Sequence, residues 1–150
     1  MRILLIAATC LLAAGCMGDN NGSSGNTRMT EAEWVEAADK ICAEFGADLD
    51  GLPEPDSMED LETLAAQAQP IAEDGVARLR DLSPPEATED QVNEWLELND
   101  ANVQLIEDLG AAAEDGDETA VQEVAADAAD NEEKADALAT ELGLTDCAAS

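Results

Sequence analysis

The chain has 150 residues, 36 Asp and Glu against 6 Lys and Arg, a formal charge of −30, no His, no Tyr, two Trp and one Phe. That inventory excludes histidine-based triads and the usual zinc and haem sites. It also excludes nucleic-acid binding, because phosphates demand clustered Lys and Arg. Alanine supplies 29 residues, so much of the hydrophobic content is small, and scarce β-branched residues favour helix over strand. One domain is expected at this length. Low hydrophobicity with high charge also marks disordered chains, but here the apolar residues are strongly periodic.

Residues 1–15 read as a lipoprotein signal peptide. Met1-Arg2 is a short positive start and Ile3 to Ala14 is an apolar run, shorter than the roughly 20 residues a membrane-spanning helix needs. Leu12-Ala13-Ala14-Gly15-Cys16 looks like a bacterial lipobox, with cleavage expected before Cys16 and acylation of its thiol. Ala13 stands where such motifs usually carry Leu. An ordinary secretory signal with an incidental Cys is the alternative. Residues 16–29 (CMGDNNGSSGNTRM) are expected to form a lipid-anchored flexible linker reaching roughly 20 Å. The predicted location is the extracytoplasmic face of the cell membrane. With Cys10 inside the signal, Cys42 and Cys147 remain. An even pair in an exported chain reads as a disulfide, with two buried free thiols as the alternative.

Residues 30–150 are expected to form an acidic helical domain. The first helix runs from about Thr30 to Asp50, opened by a capping box of Thr30 and Glu33. Trp34, Ala38, Ile41, Cys42, Phe45 and Leu49 mark its apolar face. Gly51 is expected to end it in the left-handed conformation, before Pro53 and Pro55. The second helix, about Met58 to Leu82, is capped by Ser57 and keeps its stripe (Leu61, Leu64, Ala65, Ala68, Ile71, Ala72, Val76, Leu79) across Pro70. It therefore reads as one kinked helix. The third, about Glu89 to Glu114, is expected to start with a second capping box of Thr88 and Gln91. Val92, Trp95, Leu96, Val103, Ile106 and Leu109 form its apolar face. The fourth, about Glu118 to Leu142, turns Val121, Val124, Ala125, Ala128, Ala135, Leu138, Ala139 and Leu142 inward. Gly143-Leu144 is expected to give a Schellman ending. Four amphipathic helices with short connections predict an all-α, up-down four-helix bundle. Joining Cys42, about 18 Å along the first helix, to a tail at the end of the fourth requires an overhang at the start of the first helix or a tail that folds back along it.

The chain segments DKICAEF (Asp39 to Phe45), QPIAEDGVARLRDLSPP (Gln69 to Pro85), VNEWLELN (Val92 to Asn99) and LGLTDCA (Leu142 to Ala148), with the lipobox, resemble small uncharacterised lipoproteins of actinobacteria. The resemblance covers nearly the whole chain after the signal. It implies a lipid-anchored helical domain with Cys42 and Cys147 bridged, and it carries over no activity.

Few residues offer chemistry. The acidic groups Glu114-Asp115-Asp117-Glu118, Asp127-Asp130-Glu132-Glu133 and Asp56-Glu59-Asp60 lack calcium-loop spacing and read as solvated faces. A His-containing di-iron site is impossible. Met29 and Met58 lack partner ligands, so no metal or cofactor is expected. Lys40 is expected to pair with Glu36 on its own helix. Arg78 and Arg80 suit a helix C-terminus and form the only local positive site for an anion. No nucleophile and base are paired, so the chain reads as non-enzymatic. Trp34, Phe45 and Trp95 are core anchors or, alternatively, the lining of an apolar pocket.

Two functions fit. The first is an envelope interaction or structural module, tethered to the membrane through lipid on Cys16 and able to meet a basic envelope protein or cations, with a filled core. The second is a carrier of a small apolar ligand between helices near Trp34, Phe45 and Trp95. Removal of Arg2 with the signal leaves a charge of about −31, which repels anionic lipid head groups.

Overall fold

A computed structural model describes residues 28–148. The expected signal peptide, the expected acylation site Cys16 and most of the expected linker lie outside the described residues. Four helices follow in chain order: α1 (Glu31–Asp50), α2 (Met58–Arg80), α3 (Glu89–Glu114) and α4 (Glu118–Glu141). The protein is an all-α, up-down four-helix bundle.

The helix starts follow from side chains that satisfy the free first-turn amides. Thr30 Oγ1 accepts from Glu33 N–H at 3.3 Å, and Glu33 Oε2 accepts from Thr30 N–H at 3.0 Å, which completes the capping box at α1. Ser57 Oγ accepts from Asp60 N–H at 3.2 Å at α2. Asp117 Oδ1 accepts from Thr119 and Ala120 N–H at 3.0 Å each at α4. The expected box at α3 does not form. Thr88 sits in the turn after Pro84-Pro85, where its N–H and its hydroxyl both donate to Pro85 O, so its oxygen caps no amide of α3.

Glycine ends two helices. Gly143 (φ +80°) and Gly116 (φ +67°) adopt the left-handed conformation. At α4, Leu144 N–H donates to Ala139 O and Gly143 N–H to Thr140 O. At α3, Asp117 N–H donates to Ala112 O and Gly116 N–H to Ala113 O. Both are Schellman endings, and Asp117 therefore closes α3 and opens α4. Gly51 differs from expectation. It is right-handed, at φ −75°, and α1 stops there because Pro53 and Pro55 carry no N–H to extend it. Helix α2 runs unbroken through Pro70.

The helices pack in sequence, α1 on α2, α2 on α3 and α3 on α4. Small residues set the tightest crossing: a Cβ placed on Gly110 of α3 would lie 3.1 Å from Ala65 Cβ of α2. The ring does not close. The backbone of α1 comes close to neither α3 nor α4. At the end holding the start of α1 and the end of α4, bulky side chains span this separation. Trp34 and Trp95, each 2% exposed, meet edge to face with ring centroids 6.4 Å apart. Ile41, Leu79, Val92, Leu96, Leu142 and Leu144 complete this core.

The tail resolves the geometric problem posed by Cys42. It folds back onto α1, where Asp39 Oδ1 accepts from the N–H groups of Thr145 (2.9 Å), Asp146 (3.0 Å) and Cys147 (3.5 Å). Asp39 Oδ2 accepts from the Thr145 hydroxyl at 2.9 Å. Cys42 and Cys147 are joined, with S–S 2.10 Å and Cα–Cα 5.1 Å. The folded domain also starts before the expected boundary at residue 30. Met29 N–H donates to Ser83 O at 2.9 Å, and Arg28 donates to Pro84 O and Glu89 Oε2. Residues 28 and 29 thus belong to the folded domain.

Candidate ligand cleft

From the Cys42–Cys147 bond toward the far end of the bundle, the open side between α1 and α4 becomes a cleft of about 650 Å³. Its cause lies in side-chain size. Where Trp34 and Trp95 bridge the gap at one end, α4 offers only Val124, Ala125 and Ala128 at the other, and these are too short to reach α1. Phe45 and Leu49 of α1, Val76 of α2, and Val103, Ile106 and Leu109 of α3 form the remaining apolar walls. Phe45, Val103, Ile106 and Val124 are half-buried, although they point along the inner faces predicted from periodicity. Ala125 is exposed for the same reason.

Two of the three expected pocket residues line this cleft. Phe45 and Trp95 do; Trp34 is packed in the solid end, with its indole Nε1 buried and without a hydrogen-bond acceptor. The Phe45 ring lies against α2 at Gly75, where an added Cβ would come within 3.2 Å of it. Gly75 therefore lets the Phe45 ring lie directly on the α2 backbone.

Polar groups enter the cleft at defined points. Asn99 and Asn102 line it from α3, Glu132 and Asp136 from α4, Asp50 from the end of α1, and Asp146 from the tail. Asn131 Nδ2 donates to Leu98 O (2.8 Å) and to Asn102 Oδ1 (2.6 Å), which ties α4 to α3 beside it. Asn99 Nδ2 donates back to Trp95 O at 2.8 Å. Burial raises the Asp136 carboxyl above its usual range.

The described arginines are occupied in bonding acids from other parts of the chain. Arg78 bonds Glu44 of α1 and lies 3.8 Å from Asp74; Arg80 bonds Asp100 of α3; Arg28 reaches Glu89 at 2.7 Å. The pair with Arg78 lowers the Glu44 carboxyl and raises the guanidinium. The expected anion site at Arg78 and Arg80 is thus taken up by carboxylates of the protein itself. Lys40 lies 3.9 Å from Glu44 rather than pairing with Glu36.

Sequence reasoning missed Asp39, the Asn131 tie and the cross-helix arginine pairs, since each depends on which helix neighbours which. Among the described residues, no group of three metal-ligating side chains is placed to hold an ion, and no helix is long and apolar enough to cross a membrane. Compared with protein-family models, curated proteins and solved structures, the chain matches none.

Proposed function

We propose that this is a non-catalytic, lipid-anchored extracytoplasmic domain that holds a small apolar ligand in the cleft between α1 and α4. The observation that carries the reading is the cleft itself. Its volume of about 650 Å³ falls in the range of small-molecule sites, about 300–1,000 Å³. Apolar side chains with a few placed polar groups are the usual lining of such sites. The large apolar cluster expected for a purely structural module gathers around Trp34 and Trp95. The lipobox-like sequence that ends at Cys16 supports a role at a membrane surface, where apolar ligands concentrate.

The test is a fluorescence titration with 1-decanol, a neutral apolar probe. Trp95 lines the cleft and Trp34 does not, so the two single-tryptophan variants separate their responses. The Trp34→Phe variant is expected to keep a saturable emission change and Trp95→Phe to lose it. A titration in which neither variant responds contradicts the proposal.

A second reading, an envelope module binding a basic protein or cations, draws support from the exposed acids of α4, among them Glu123, Asp127 and Asp130. Crosslinking on native membranes is expected under that reading to capture one recurrent basic protein, and a failure to capture one counts against it.

A further inference from the structure

The charge around the cleft selects among apolar ligands; this inference rests on the ligand-cleft reading above. Four carboxylates line the space, those of Asp50, Glu132, Asp136 and Asp146, and no Lys or Arg does. A fatty acid or other anionic tail would bring a further negative charge among them. A second copy of the chain is a poor occupant as well, since two bodies of formal charge −30 repel. We propose that the cleft takes a single-chain cationic amphiphile, its tail along Phe45, Val103, Ile106 and Val124 and its amine head at Glu132 and Asp136.

Position along α4 supports this division. Glu132 and Asp136 are four residues apart, so they share one face of the helix. Neither has an ion-pair partner among the described residues. The apolar residues Val124, Ala125 and Ala128 precede them on the same helix and line the same space. An ammonium head beside the two acids satisfies carboxylates that lack a cation. The half-buried Asp136, whose carboxyl burial disfavours in its charged form, gains most from such a neighbour.

The experiment compares three probes of equal tail length, each below its micelle concentration: decylammonium, 1-decanol and decanoate. Binding is measured by calorimetry on the folded domain and on two double variants. Decylammonium is expected to bind about tenfold tighter than decanol, the scale of a charge-assisted hydrogen bond, with decanoate the weakest. Glu132→Gln with Asp136→Asn is expected to remove that advantage and leave decanol affinity unchanged. Asp136→Asn alone should remove part of it, which provides a milder variant if the double one fails to fold. Glu123→Gln with Asp127→Asn removes the same number of charges from exposed positions outside the cleft and is expected to preserve the advantage. Equal affinity for decylammonium and decanol, or equal loss in both double variants, overturns the assignment while leaving an apolar cleft in place. Failure of all three probes overturns the cleft reading and this inference with it.

Discussion

At the end of the bundle that holds Trp34 and Trp95, the gap between α1 and its neighbours is filled by these two tryptophans and six leucine, isoleucine or valine side chains, and the tail is fastened there both by Asp39 and by the Cys42–Cys147 bond. At the other end, the same helices face one another with Val124, Ala125 and Ala128 against Phe45 and Leu49, and a cleft remains. The same four helices form both ends, and side-chain volume accounts for the contrast. In an alanine-rich chain, a hydrophobic stripe of correct period fixes a helix face but leaves the face's depth to a handful of large residues.

The largest expected effect comes from opening the clasp. Replacing Cys42 and Cys147 with Ser releases a separation of 105 residues, for which chain entropy assigns about 4–5 kcal/mol. Urea unfolding is expected to show that loss. A change below about 1 kcal/mol would mean that Asp39 alone holds the tail. Next in size is a pair of truncations that sets one end against the other. Trp34→Ala should cost about 3–5 kcal/mol, whereas Phe45→Ala, at a half-buried cleft wall, should cost less than about half as much. Equal costs would erase the distinction between solid and open ends.

Adding volume sharpens the contrast from the opposite side. Ala139 is fully buried, and Ala139→Leu is expected to cost about 1–3 kcal/mol through overpacking. Ala128→Leu projects into the cleft and is expected to lie within about 0.5 kcal/mol of neutral while weakening decanol binding. A large stability loss from Ala128→Leu would show that the far end is as tightly packed as the near one.

The smallest effect is on pH dependence. The Thr30 hydroxyl and amide lower the Glu33 carboxyl, and Arg78 lowers that of Glu44. A carboxyl depressed by folding contributes stability above its unfolded pKa and loses it as pH falls through the folded one. Asp136, raised by burial, acts oppositely: its contribution is present below its unfolded pKa and is lost as pH rises through the folded value. Acid titration of stability is therefore expected to flatten slightly at its lower limb in Glu33→Gln and to lose a small opposing slope at higher pH in Asp136→Asn. Superimposable curves for the wild type and both variants would contradict these assignments.

Much of this fold was legible in the sequence because helix ends are local chemistry. Thr30, Ser57, Gly143 and the proline pairs act on amides and carbonyls within a few residues, so spacing alone locates them. The partners of Asp39, Arg80 and Asn131 are set by which helices adjoin, and no local pattern encodes that. Thr88 failed as a cap because the preceding Pro84-Pro85 turn claimed its hydroxyl. The pocket was only partly legible. Periodicity put Phe45 and Trp95 on inner faces, but it gave Trp34 the same status. The gap between α1 and α4 depends on side-chain lengths summed across two helices.

The most direct test of the cleft is an isotope-filtered nuclear Overhauser experiment on the labelled domain with bound 1-decanol. Cross-peaks are expected from the alkyl chain to the methyl groups of Val103, Ile106 and Val124, with none to Leu142 or Leu144 in the solid end. Cross-peaks confined to the Leu142 and Leu144 methyls, or none at saturating decanol, would contradict the account.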